Sequence, residues 1–376
     1  MSTLLFAADL VPTSCNEALF RNGDSEQLFG LEILELFRTA DFSVINLETP
    51  LTAITNQAKY PGPYLRCDPE CVNAIAGLSP SLITLGNNHA LDQGYGGLQE
   101  TIATLQKRDL PFTGAGLNLN EARLSHITML RDACIGVLNC TEYEFAAATP
   151  NACGANPYDP LVSFDQVRDL SNECDITVVL YHGGKELYPF PSPQLQRVCR
   201  KFVESGADLV ICQHTHCVGC WEHVGDSTIV YGQGDFLFDM YKNECRDTAV
   251  LVKCEVVDKT IASVSYIPLI KQSGCVRVAP DETGESVLEG MAERSERILL
   301  PGFVQQEYDD LARRYYASYI KKILGKRRWL NALNKLMGNR LYSHFYSEEQ
   351  ALEALNVISP ENHAELFKAA LRLVGE

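Results

Sequence analysis

The chain has 376 residues, 46% of them hydrophobic and 21% charged, with a formal net charge of −16. This length buries a substantial core, and the composition is that of an ordinary soluble globular protein. The acidic balance argues against nucleic acid as a main partner. The start, MSTLLFAADL, lacks a basic leader and has an Asp interrupting its apolar run, so it reads as neither signal peptide nor membrane span. No later stretch reaches eighteen uninterrupted apolar residues. Fourteen Cys lie scattered without small-domain spacing, which points to reduced thiols and a cytoplasmic setting.

In chain order, apolar runs bounded by turn signals predict buried strands at Leu4–Ala8, Phe42–Ile45, Leu82–Leu85, Ile176–Tyr181 and Leu209–Cys212. Asp68-Pro69 reads as a cap and first-turn proline opening a helix through about Ala76. Residues 94–108 are helix-like, with Leu98, Ile102 and Leu105 on one face. Residues 146–160 read as a loop, facing either substrate or solvent. Ser192-Pro193 opens another helix, which Gly206 closes. Segments 249–257 and 261–269 alternate like two closing strands, and beyond about residue 287 the chain turns helical. The alternation predicts an α/β layered domain over 1–275 and a mainly helical extension over 276–376.

Charge changes character near residue 300. Residues 1–310 carry 42 acids against 21 bases, whereas 311–340 hold nine Lys/Arg (Arg313, Arg314, Lys321, Lys322, Lys326, Arg327, Arg328, Lys335, Arg340) and no acid. Apolar Ile320, Ile323, Leu324, Leu330 and Leu333 recur there at helical intervals, with Trp329 close by. Three roles are open to 311–340: packing on the acidic domain, peripheral contact with an anionic membrane, or a grip on a polyanionic substrate.

Each predicted strand is followed by a polar cluster: Asp9, Asn46/Glu48, Asn87-Asn88-His89, His182 and His214-Thr215-His216. In open α/β sheets sites gather where strands end. Carboxylate, amide and imidazole form the ligand set of a divalent metal. Glu48, the acid close after its strand, is the expected bridge between two ions. Asp9 with His216 would hold one, and Asn88, His182 and His214 the other. His89 would act on a leaving oxygen, with Asp92 orienting its ring. Arg66 and Glu186 are candidate substrate contacts or solvated loop charges. Cys217-x-x-Cys220 with His223 has zinc-ligand spacing, yet buried free thiols are its default reading.

Apart from Asp9, Arg66 and His223, these residues lie in stretches that carry a family resemblance: DFSVINLETPLT (41–52), LITLGNNHALDQGYGGLQETIATL (82–105), PFTGAGLNLNEAR (111–123), VVLYHGGKELYPFPSPQ (178–194), SGADLVICQHTHCVGCWE (205–222) and IVYGQGDFLFD (229–239). The chain resembles the bacterial capsule-synthesis family of the CapA type, linked to poly-γ-glutamate and placed in the calcineurin-like metallophosphoesterase superfamily. The resemblance covers about residues 3–269. It implies a four-layer α/β/β/α sandwich with a metal centre at one end, built from Asp9, Glu48, Asn88, His89, His182, His214 and His216. In the broader phosphoesterase pattern a His ligand follows two residues after the first Asp, where this chain has Val11. Asp235 stands where the family commonly has Asn, an extra carboxylate that either adjusts the site's charge or caps the turn.

The function expected is a metal-dependent hydrolase, phosphoesterase-like, using one or two Mn, Fe or Zn ions on an anionic small molecule or polymer in surface-polymer or glycan metabolism. The alternative is a non-catalytic accessory protein of capsule or poly-γ-glutamate synthesis, with a structural or vestigial metal site and contacts to the synthesis machinery.

Overall fold

The computed structural model describes residues 1–57, 63–131, 133–143, 145–239, 246–323, 328–338, 340, 341 and 354. The apolar runs of the sequence become the middle strands of two sheets. In the first sheet Ser2–Val11, Phe42–Leu47, Leu82–Thr84 and Phe112–Thr113 lie side by side in parallel. Thr248–Val257, Thr260–Gln272 and Cys275–Val278 extend it antiparallel on the other side of Ser2–Val11. The second sheet has a parallel centre of Cys134–Thr141, Ile176–His182, Leu209–Gln213 and Ser227–Val230. Antiparallel edges at His126–Met129 and Trp221–Val224 complete it.

Strand side chains alternate between faces, and that period sorts the core into layers. Leu4, Phe6, Phe42 and Val44 of the first sheet pack against Val137, Val178, Leu180 and Ile211 of the second. The intervening Leu5, Ala7, Ile45 and Ile83 face the other way, onto Phe29, Ile33, Ile75 and Leu98 of the helices Ser25–Thr39, Val72–Leu78 and Gly94–Lys107. On the far side of the second sheet lie Ser163–Glu173 and Pro193–Glu204, which bury Val167, Leu170, Val198 and Phe202. The result is the four-layer α/β/β/α arrangement implied by the family resemblance. Strands buried on both faces explain why their sequences read as unbroken apolar runs.

The helix signals act as the sequence suggests, with one adjustment. The Ser192 hydroxyl accepts from Leu195 N–H, and Pro193 opens the helix. Gly206 follows its end at φ 113°, a conformation that disfavours any side chain. Asp68 likewise caps its segment by accepting from Glu70 N–H. The first turn there, Pro69–Cys71, is a 3₁₀ helix before the α-helix Val72–Leu78. The loop at 146–160 is more buried than either reading of it suggested, since Ala146, Cys153 and Ala155 join the helix-side core. Gly154–Ala155 within it pairs with Ala115–Gly116.

The chain divides into two compact units, Met1–Val304 and Gln305–Glu376. Compact packing therefore continues past residue 275. The helix Asp281–Ile298 buries Met291 in the core shared with Trp221 and Tyr266, so it belongs to the first unit. Helices Phe303–Ile323 and Arg328–Leu336 cover much of the basic segment. In the second unit Leu330 is buried against Tyr316, Ala317 and Leu341, while Trp329 and Leu333 are exposed. Leu324, Lys326 and Arg327 lie outside the described residues. Among the described residues no helix is long and apolar enough to cross a membrane.

Candidate metal centre

Parallel strands end at a common edge, and here the ends of both sheets meet. Asp9 is in register with Asn46, which is in register with Thr84. His182 closes its strand opposite Gln213, and His214-Thr215-His216 follow immediately. Asn46 ties the first sheet's contribution together. Its amide donates to Asp9 Oδ1 at 2.7 Å, and its carbonyl oxygen accepts from Thr84 Oγ1 and Asn87 Nδ2, each at 3.2 Å. Gly86 N–H donates to Asn139 Oδ1 at 2.7 Å, and a Cβ at residue 86 would collide with that oxygen. The loop carrying Asn87-Asn88-His89 can pass only with glycine there. His214 and His216 both have positive φ, 87° and 54°, a strained geometry held in part by His214 N–H donating to Asp9 Oδ2 at 3.1 Å.

Glu48 lies at the centre of the imidazoles. Its Oε1 is 3.2 Å from His182 Nε2 and 4.0 Å from both His89 Nε2 and His214 Nδ1. Asp9 is 3.8 Å from His182 Nδ1 through one oxygen and 3.8 Å from His216 Nδ1 through the other. Asn88 Oδ1 lies 2.9 Å from His182 Nε2. Among the described residues, three overlapping groups have ligand atoms within 4.8 Å of one another: Glu48/His214/His216, Asp9/Glu48/His182 and Asp9/His216/Asp235. The acids and imidazoles read from the strand ends thus converge on one pocket. Their grouping is less divided than the sequence suggested, because Glu48 and Asp9 each reach imidazoles from both expected halves.

Burial dominates the electrostatics. It pushes Asp9 up to about 7, helped by the charge of Glu48, and pushes Glu48 up to about 8. It holds His89 down to about 3 and His214 well below the usual imidazole range. For His216 burial also works downward, but Asp235, Glu48 and Asp9 outweigh it and lift the ring to about 9. Asp92 is raised to about 8, again by burial, and its Oδ2 is 2.7 Å from His89 Nδ1.

Both oxygens of Glu48 are buried and, among the described residues, neither has a hydrogen-bond partner; His214 Nδ1 is likewise buried without one. Leaving such groups unsatisfied costs on the order of 1–3 kcal/mol each, more when charged. A divalent cation would satisfy all three, and mixed carboxylate, amide and imidazole donors suit Mn, Fe or Zn without choosing among them. The residues present fit a metal ion.

Some sequence-derived candidates stay outside this cluster. Arg66 is exposed, and its Nη1 lies 3.4 Å from Thr52 O. Glu186 is also exposed, although its charge reaches Glu48 and helps to raise it. Cys217 and Cys220 are buried while His223 is exposed beside Thr228, and they form no metal-holding group among the described residues. Val11 packs with Leu65 and Phe238 and offers no donor. Sequence reasoning gave two contributors no defined role at the site. Asn46 had a signal, since it sits two residues before Glu48 on one strand face. Asp235 had none beyond its place in the family stretch: Leu237–Phe238 pairs in parallel with Leu10–Val11 and so brings Asp235 to the site.

The family model described as "Bacterial capsule synthesis protein PGA_cap" matches residues 3–240. The "PGA biosynthesis protein CapA" of Bacillus subtilis (strain 168) is 27% identical over 221 residues, covering 57% of this chain and 58% of that protein. The "Capsule biosynthesis protein CapA" of Bacillus anthracis is 27% identical over 217 residues, covering 56% and 53%. A "Probable polyglutamine synthesis accessory protein" of Mycobacterium tuberculosis (strain H37Rv) is 28% identical over 223 residues, covering 56% and 58%. The chain therefore spans a little over half the length of these curated relatives. Among solved structures, a novel phosphatase from Mycoplasma pneumoniae aligns with TM-score 0.44 and 15% identity, over 72% of this chain and 93% of that one. A 5'-nucleotidase precursor from Thermus thermophilus aligns with TM-score 0.42 and 12% identity, over 78% and 58%. With the family model matching well over half of its residues, the chain belongs to the bacterial capsule synthesis protein family PGA_cap.

Proposed function

We propose that this protein is a divalent-metal-dependent hydrolase of phosphoester type, acting on an anionic substrate in surface-polymer synthesis. The observation that carries the reading is Glu48: a buried carboxylate, both oxygens without hydrogen bonds, with three imidazoles and Asp9 around it. A stabilising role alone would favour a hydrophobic residue or a fully bonded one. Asp9, Glu48, Asn88, His182, His214 and His216 would hold the metal, which when bound polarises a phosphoryl group and lowers the pKa of water.

His89 has a different task. Its Nδ1 engages Asp92, and its Nε2 is the atom turned toward Glu48. Burial keeps the ring neutral, with its single N–H on Nε2 and Nδ1 accepting from the protonated Asp92 carboxyl. The Nε2 hydrogen can pass to a leaving oxygen as the P–O bond breaks while the Asp92 proton moves to Nδ1, leaving a neutral ring and an Asp92 carboxylate. Arg66 and Glu186 remain candidate contacts for the rest of the substrate, and 311–340 for a polyanion, the synthesis machinery or an anionic membrane surface.

The second reading is an accessory protein that binds metal without turnover. The name of the mycobacterial relative and the missing donor at Val11 favour it. A panel of aryl phosphate monoesters and diesters, run on chelated and metal-reconstituted protein, separates the two. Metal-restored hydrolysis that is lost in His89→Ala supports the hydrolase. Metal binding without hydrolysis of any ester supports the accessory role.

A further inference from the structure

We infer that Asp235 is itself a metal ligand, supplying with Asp9 and His216 the donor that Val11 lacks and so completing a second ion position beside the one at Glu48, Asn88, His182 and His214. The inference rests on the metal-centre reading above and adds a residue to it.

The geometry turns on which imidazole nitrogen faces the site. A ligating histidine presents one nitrogen to the ion and has an orienting carboxylate at the other, behind it. His89, although not a ligand, has that carboxylate placement, with Asp92 at Nδ1 and the site on the Nε2 side. His216 does not. Asp235 Oδ1 lies 2.6 Å from its Nδ1, and the approach of Asp9 is to that same nitrogen, at 3.8 Å. Asp235 is on the ion side of the ring. Its carboxylate is fully buried, Oδ2 has no hydrogen-bond partner among the described residues, and its ligand atom falls within 4.8 Å of those of Asp9 and His216. Arg246 Nη1 lies 3.6 Å from Oδ2 and Lys271 donates to Asp235 O, two cations whose charge favours the ionised carboxylate that a ligand must be. Without an ion, the carboxylates and imidazole close on one another; with one, all three can turn to it.

The test uses the full chain, stripped with chelator and reconstituted with Mn²⁺ or Co²⁺. Wild type is expected to take up two ions and to give the spin-coupled paramagnetic resonance signal of a manganese pair. Asp235→Ala is expected to keep one ion and show the uncoupled signal. Asp235→Cys with Co²⁺ is expected to gain near-ultraviolet thiolate-to-cobalt absorption absent from wild type, which only direct ligation produces. Asp92→Asn, altering an orienting carboxylate, is expected to retain both ions. An unchanged coupled signal in Asp235→Ala, or cobalt bound to Asp235→Cys without the new band, overturns the inference while leaving the metal centre in place. Wild type that binds no ion overturns both, and circular dichroism of the metal-free variants separates either result from misfolding.

Discussion

His89 and His216 each have a carboxylate oxygen within 2.7 Å of Nδ1, yet the two pairs are built for different work. Asp92 approaches His89 from behind, and Leu65 N–H donates to the same carboxylate oxygen, so that pair is anchored away from the pocket. Asp235 approaches His216 from the side that Asp9 also faces. Burial keeps the first ring neutral, whereas three carboxylates raise the second to about 9. On the reading proposed above, one residue type serves once as a proton donor and once as part of a cation-binding cage. The nitrogen that faces the site, Nε2 in His89 and Nδ1 in His216, together with the number of carboxylates nearby, decides which.

The largest effect that bears on this contrast comes from the residue between the two histidines. Glu48→Ala is expected to abolish stoichiometric metal uptake and reduce hydrolysis at least about 100-fold, since even a carboxylate behind a ligand is worth up to about 100-fold. Elemental analysis and an aryl phosphate assay check it. His89→Ala is expected to lower turnover about 10²–10⁴-fold, the usual contribution of a positioned acid, with metal content unchanged. Loss of metal in that variant would erase the distinction between the two histidines. Asp92→Asn is expected to lower turnover by about 10–100-fold, again with metal retained.

A smaller effect is thermodynamic. In metal-free protein Asp9, Glu48, Asp92 and His216 have folded pKa values of about 7, 8, 8 and 9, all above their unfolded values. The folded chain therefore binds more protons than the unfolded chain as pH rises from about 7 to about 9, and its stability must fall across that window. His89 and His214, both lowered, oppose this only at more acid pH, where the unfolded rings charge. A drop of up to about 5 kcal/mol is expected by order of magnitude, read as a falling unfolding midpoint that added metal cancels. The smallest effect is a control: Ser192→Ala removes a helix cap far from the contrast and costs about 1 kcal/mol, with no change in metal content.

The sequence carried the strands and the candidate ligands for one physical reason. Strands buried on both faces must be apolar throughout, so the polar residues that end Leu4–Ala8, Ile176–Tyr181 and Leu209–Cys212 stand out. The pocket lies at those ends. What it did not carry is how distant segments close on one another. Asp235 gains its place only when Leu237–Phe238 pairs with the end of the first strand, a long-range event without local periodicity. The same limit explains Arg66 and Glu186, which fall within the residues matched by the family model but sit exposed on loops. It explains the boundary as well: Met291 packs under Trp221 and Tyr266, and nothing in the helical pattern of 281–298 announces that partner.

The most direct test of the central claim is equilibrium dialysis of chelator-stripped protein against Mn²⁺, followed by elemental analysis of wild type and Glu48→Ala side by side. Stoichiometric manganese in wild type and none in Glu48→Ala is the predicted result. Wild type that retains no manganese, or Glu48→Ala that retains as much as wild type, contradicts it.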